Sequence, residues 1–172
     1  MIHPEHQRRA YLQAMGIDVW LLRDDDEPGL VEEPAVSVEG LGWDDLRECV
    51  ANCTRCELSQ SRTNTVFGVG NPDADWLIIG EAPGAEEDRR GEPFVGRAGQ
   101  LLDQMLLAIG QSRDSVFIAN ILKCRPPNNR DPKPDEAAAC RAYLERQIEL
   151  LRPKIILAVG KIAAQNLLGS AD

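Results

Sequence analysis

Three short apolar runs, each closed by a residue that breaks the pattern, constrain this chain more than any other feature. They are WLIIG at 76–80, VFIANIL at 116–122 and IILAVG at 155–160. Each follows a polar or turn-forming stretch (NPDAD, GQSRDS and RPK), and apolar runs of this length so bounded read as buried strands. Helical patterns lie between them. GRAGQLLDQMLLAIG places Leu101, Met105 and Ala108 on one face and stops at Gly110, and PDEAAACRAYLERQIELL opens on Pro134 with acids in its first turn. Strands alternating with helices predict an α/β fold with a central parallel sheet covered on both faces. Crossovers in such a sheet are right-handed, and ligands gather beyond the carboxyl ends of the strands.

At 172 residues, with 43% apolar and 27% charged side chains, the chain has material for one globular domain plus an extension. No apolar run approaches the roughly 18 residues of a membrane helix, and the first twenty residues lack the apolar core of a signal peptide, so a cytoplasmic protein is expected. The net charge of −9 is unevenly spread: residues 1–48 hold 12 acids and 4 bases, leaving the rest close to neutral. Three regions follow. Residues 1–22 form an amphipathic arm with Tyr11, Leu12 and Met15 at helical spacing; residues 23–48 read as an acidic linker; residues 49–172 form the domain. Within the domain, KCRPPNNRDPK carries Lys123, Arg125, Arg130 and Lys133 against Asp131, a local basic loop that solvation alone also explains.

The unusual residues cluster at the strand ends. GEAPG follows the first strand, Asn120 to Cys124 ends the second, and Gly160 follows the third. Gly80 and Gly84 suit backbone that turns steeply or approaches a ligand closely, with Pro83 stiffening the turn, although a purely structural strand-to-helix turn uses the same residues. Of five cysteines, Cys53 and Cys56 form C-x-x-C, Cys124 and Cys140 stand apart downstream, and Cys49 precedes the first pair by one turn. In a reducing compartment four thiols suggest a metal site, either tetrahedral zinc or an iron–sulfur cluster. Cys140, on the apolar face of its helix with Ala137, Leu144 and Leu151, also fits a plain core position.

GEAPGAEED, GEPFVGRAG, NILKCRPPNNRDPKPDE and LRPKIILAVGKIAAQNLLG resemble, in order and spacing, the family 4 uracil-DNA glycosylases, from about Cys53 to Gly169. The resemblance implies a Rossmann-like three-layer αβα sandwich and a [4Fe–4S] cluster on Cys53, Cys56, Cys124 and Cys140, with Cys49 a bystander. It also implies a substrate, uracil-containing DNA, whose target nucleotide leaves the stack to be held by face and edge. Phe94 then stacks on the base, and Asn120 pairs with its edge through one donor and one acceptor. The backbone around Gly80, Glu81 and Ala82 reaches the base from the turn. Glu81 and Glu87 match the family's catalytic acids, suited to stabilising a cation-like sugar and orienting water. Glu86, Asp88 and Glu92 are read as surface acids.

The family continues past the third helix into a further strand and a histidine-bearing loop that supports the leaving group. The histidines here are His3 and His6, so the expectation is a sheet lacking its last strand, with IILAVG at an apolar edge, and slow excision or none by these 172 residues. The arm supplies the alternative. Residues 8–22 loosely resemble the start of the psi subunit of bacterial DNA polymerase III, which implies a non-catalytic replication module binding a chi-like accessory subunit.

Overall fold

Residues 37–169 are described here from a computed structural model; the amphipathic arm and residues 23–36 of the predicted linker lie outside the described residues. The sheet has the order β1-β3-β2-β4, with β1 at Val69–Gly70, β2 at Trp76–Gly80, β3 at Phe117–Asn120 and β4 at Ile155–Ala158. The three strands expected from the apolar runs are parallel to one another: β2 pairs with β3 on one side and with β4 on the other. The two-residue β1 adds an antiparallel edge, Val69 opposite Ile118, which carries too short a pattern to be recognised in sequence.

Side chains of a strand alternate between faces, and here the alternation sorts two cores. Ile78 and Ile118 turn to one side, where Leu102 and Leu106 of α4 (Arg97–Ala108) cover them. Leu77, Ile79, Phe117 and Ala119 turn to the other, against α1 (Trp43–Ala51), α5 (Pro134–Leu151) and Ala163 of α6 (Lys161–Leu168). Short helices α2 (Leu58–Ser61) and α3 (Ala85–Arg90) complete the connections. The result is the expected three-layer αβα arrangement. Pro134 sits at the start of α5, where its missing N–H costs nothing, and Glu136 reaches back to accept from Lys133 N at 2.9 Å.

Two sequence expectations are corrected. The apolar face proposed for α4 is the wet one: Leu101, Met105 and Ala108 are exposed, while Leu102 and Leu106 pack on the sheet and Gly99 is buried against the Phe94 backbone. This helix is apolar on more than one side, so spacing alone does not say which stripe is covered. The linker also does not extend to residue 48. Val38 is buried, Arg146 donates to the Leu41 carbonyl through Nε and Nη2 at 2.9 and 2.7 Å, and α1 begins at Trp43 with Leu46 fully buried. The acids Asp44 and Asp45 that suggested a solvated linker occupy the first turn of α1, where the helix dipole favours them.

Among the described residues β4 pairs only with β2, and Ile155, Ile156 and Leu157 remain 40–43% exposed, as expected of a sheet edge. Because Leu46 fills the core under α1, Leu46→Ala is expected to lower unfolding free energy by about 2–5 kcal/mol in denaturant titration. A linker residue would show no such loss.

Candidate active site and cysteine cavity

The register of β2 against β3 sets Gly80 beside Asn120 at the carboxyl ends of both strands. Backbone pairing continues past the strands, with Ile121 N donating to Gly80 O at 2.9 Å and Leu122 N to Glu81 O at 3.0 Å. A cleft of about 350 Å³ opens there, and Glu81, Ala82, Glu87, Phe94 and Asn120 of the sequence-derived set all line it. Gly80 lies beneath this group. A Cβ on it would sit 2.5 Å from Asn120 Oδ1 and 2.6 Å from Phe94 Cζ, so the ring and the carboxamide occupy the space that a side chain would take. Asn120 is buried, and among the described residues no group hydrogen-bonds its carboxamide, leaving donor and acceptor available to the cleft.

Phe94 adopts the left-handed region at φ 53°, unfavourable for a bulky residue, and a clamp of opposite charges holds it there. On one side Arg113 donates to Pro93 O at 2.7 Å and Phe94 O at 3.0 Å while pairing with Asp103 at 3.1 Å. On the other, Glu87 Oε1 accepts from Val95 N at 3.0 Å and Gly96 N at 2.9 Å. Gly99 closes the clamp, because any Cβ there would overlap the Phe94 carbonyl. Glu87 is thus engaged with the backbone of the aromatic loop, whereas the Glu81 carboxylate has no hydrogen-bond partner among the described residues. Partial burial, followed by the nearby Asp131 charge, raises the Glu81 pKa above the ordinary carboxylate range.

The opposite wall is the loop Pro126–Arg130, in which Asn128 and Asn129 both have positive φ. Arg130 is fixed by two bonds to Glu136, at 2.8 and 2.5 Å, and the buried carboxylate is held below its usual pKa chiefly by that guanidinium. Asp88 is corrected from a surface acid to a buried one. Its carboxylate accepts from Thr63 N at 2.9 Å and Asn64 N at 3.3 Å, tying α3 to the segment after α2.

Behind the cleft, Cys53, Cys56, Cys124 and Cys140 line one small cavity together with Arg55, Arg62, Lys123 and Tyr143; Cys49 is absent from its lining. The four arrive from the segment between α1 and α2, the turn after β3, and α5. Burial pushes the thiols of Cys56 and Cys124 up, and that of Cys140 to about 11. Among the described residues no three His, Cys, Asp or Glu side chains converge closely enough to hold a single metal ion. Arg62 donates to Cys124 Sγ at 3.1 Å and to Ala51 O at 3.2 Å. Two buried side-chain atoms in this wall, Arg55 Nη1 and Tyr143 Oη, make no well-formed hydrogen bond. Lys123 joins cavity to cleft: its fully buried Nζ donates to Asn120 O at 2.9 Å and Gln147 Oε1 at 2.7 Å, and burial lowers its pKa to about 8.

Arg113, Gly99, Arg55, Arg62 and Tyr143 are not singled out by the sequence. Gly99 lies inside the GRAG motif, which is the one signal that points to it; the others act across long chain separations, Arg62 on Cys124 for example.

An α/β sheet with three parallel strands, and with an aromatic ring and a carboxamide meeting over a glycine at its strand ends, marks this cleft as the candidate site. The chain belongs to the uracil DNA glycosylase superfamily, whose family model matches residues 67–171. It is 50% identical over 129 residues to the Type-4 uracil-DNA glycosylase of Archaeoglobus fulgidus, covering 75% of this chain and 65% of that protein. With the Type-4 uracil-DNA glycosylase of Thermotoga maritima it shares 52% over 118 residues, covering 69% and 62%. With the Type-5 uracil-DNA glycosylase of Pyrobaculum aerophilum it shares 31% over 159 residues, covering 74% and 70%. The chain therefore spans somewhat under two thirds of the Type-4 relatives' length. None of these relatives is named as a polymerase accessory subunit, so the replication-module alternative gains nothing from them. No helix among the described residues is long and apolar enough to cross a membrane.

The clamp on Phe94 generates a test. Glu87→Gln keeps an acceptor oxygen for both N–H groups, whereas Glu87→Ala removes it. Amide hydrogen exchange at Val95 and Gly96 is expected to stay slow in Glu87→Gln and to accelerate at least tenfold in Glu87→Ala, a loss of about 1.4 kcal/mol of local protection.

Proposed function

We propose that this protein hydrolyses the N-glycosidic bond of deoxyuridine in DNA, releasing uracil and leaving an abasic site. The observation that carries the reading is the convergence of the Phe94 ring and the unengaged Asn120 carboxamide over Gly80. In this reading the flipped base stacks on Phe94, and Asn120 donates to uracil O4 and accepts from N3–H, a pairing that cytosine, with an amino group at C4 and no proton on N3, cannot return. Backbone of Gly80, Glu81 and Ala82 frames the remaining edge. As the glycosidic bond lengthens, the sugar gains positive charge and the base gains negative charge. In this reading the Glu81 carboxylate, which lines the cleft, stabilises the former and orients the attacking water, while Glu87 acts by holding the loop that carries Phe94. In this reading Arg125 and the exposed Lys133 face the phosphates flanking the lesion, whereas Lys123 is buried on Asn120 and Gln147 and Arg130 is bound to Glu136.

We assign Cys53, Cys56, Cys124 and Cys140 as ligands of a [4Fe–4S] cluster. Cys124 and Cys140 are buried, Cys53 and Cys56 half-buried, and all four line one cavity, a set of sulfur donors that suits a [4Fe–4S] cluster. When bound, the cluster supplies cross-links between three chain segments and no step of the hydrolysis. Ligands of this kind, all of them free thiols here, fit the reducing cytoplasm.

Single-turnover incubation with a uracil-containing oligonucleotide, followed by alkaline cleavage of abasic sites, measures the activity. Asn120→Ala is expected to lower the rate about 10²-fold or more; an unchanged rate, or no cleavage by the wild type, would refute the assignment. The pH profile tests Glu81. The carboxylate form is the active one, so a raised pKa moves the acidic limb of kcat/KM above the ordinary glutamate value of about 4.3, with activity lost as pH falls through it. Glu81→Gln is expected to abolish that limb along with most of the rate.

A further inference from the structure

We propose that Arg55, Arg62 and Tyr143 form a hydrogen-bonding shell around the sulfur atoms of the metal group held by the four cysteines, retaining that group and setting its reduction potential. The inference rests on the assignment of Cys53, Cys56, Cys124 and Cys140 as ligands.

The starting point is a coincidence of place. Arg55 Nη1 and Tyr143 Oη are buried side-chain atoms that make no well-formed hydrogen bond; Arg55 and Tyr143 both line the cavity that the four cysteines line, and the Tyr143 hydroxyl faces the thiols of Cys53 and Cys49. A guanidinium nitrogen can only donate, and a buried donor left alone is costly enough that proteins rarely keep one without a partner in the functional state. Of the other groups around this cavity, Val50 and Ala139 are apolar, Lys123 is a donor committed to Asn120 O and Gln147, and Ser59 Oγ, which donates to Cys56 O, makes no bond with either atom. The four cysteine sulfurs are the acceptors that this lining concentrates. A neutral thiol accepts weakly, whereas a metal-bound thiolate or an inorganic sulfide carries the charge to accept well.

Arg62 shows the interaction already made once, donating to Cys124 Sγ at 3.1 Å while Ala51 O fixes its other nitrogen. Arg55 is placed by the Tyr143 ring, 5.9 Å from its guanidinium carbon, so the two unpaired donors support each other at one side of the cavity. Charge points the same way. Four thiolates around a [4Fe–4S] core in its oxidised form sum to two negative charges, and two guanidiniums at the wall balance them. Hydrogen bonds to cluster sulfurs favour the more negative, reduced state, and removing them lowers the potential.

The test uses the anaerobically purified, iron-loaded chain and three substitutions that keep bulk while removing donors: Arg55→Met, Tyr143→Phe and Arg62→Met. Iron loss to a competing chelator is expected to be about tenfold faster in each, and spectroelectrochemical titration should place their midpoint potentials below the wild type. Arg62→Lys, which keeps a donor and the charge, should fall between wild type and Arg62→Met; this ordering separates lost hydrogen bonds from general loosening, which circular dichroism also monitors. Wild-type release rates and potentials in all three variants would overturn the shell. A chain that holds zinc and no iron would overturn the cluster assignment alone, and chelator competition for zinc with the same variants would still decide whether the shell exists.

Discussion

Everything at the candidate site depends on one close approach, the meeting of Phe94 and Asn120 over the bare backbone of Gly80. The parallel register that puts Gly80 next to Asn120 brings a residue from each of two strands to the same level of the sheet. The absent side chain then lets the aromatic loop descend onto the strand end. A methyl group at residue 80 would separate ring from carboxamide, and the cleft would lose the combination of a flat face and a two-way polar edge.

The sheet and the cleft were legible because they rest on local pattern. Strands β2, β3 and β4 announce themselves as apolar runs between turns, and the residues at their ends are those that line the cleft. What stayed hidden depends on tertiary context. The apolar residues of α4 lie on several sides of the helix, so the covered stripe is chosen by the sheet beneath it and not by spacing. Asp44 and Asp45 look like linker acids until the dipole of α1 is present to favour them, and Asp88 looks like a surface acid until two backbone N–H groups arrive from residues 63 and 64. Arg113 works on carbonyls some twenty residues away, a relation that no local pattern encodes.

Cleft and cysteine cavity are neighbours through one turn of chain. Asn120 and Cys124 are four residues apart, and Lys123 between them spends its buried ammonium on the Asn120 carbonyl and on Gln147, whose amide nitrogen in turn donates to Phe67 O at 2.9 Å. The carboxamide that faces the cleft is therefore seated on the same rigid turn that presents a thiol to the cavity. A staple through the four cysteines would act on the cleft by stiffening this turn, without touching anything bound there.

If the cleft holds a flipped base as proposed, the clamp on Phe94 bears on discrimination. A ring whose carbonyl is held by Arg113 and whose following amides, Val95 and Gly96, are held by Glu87, with Gly99 against its backbone, does not have to be ordered when a ligand arrives, so little of the binding free energy is spent on arranging the floor of the cleft. It also cannot yield. A soft pocket reshapes itself around a larger heterocycle and accepts it at modest cost; a fixed floor between braced walls turns the same excess of size into exclusion. Fidelity, on this account, is a mechanical property of the loop before it is a matter of hydrogen-bond pattern.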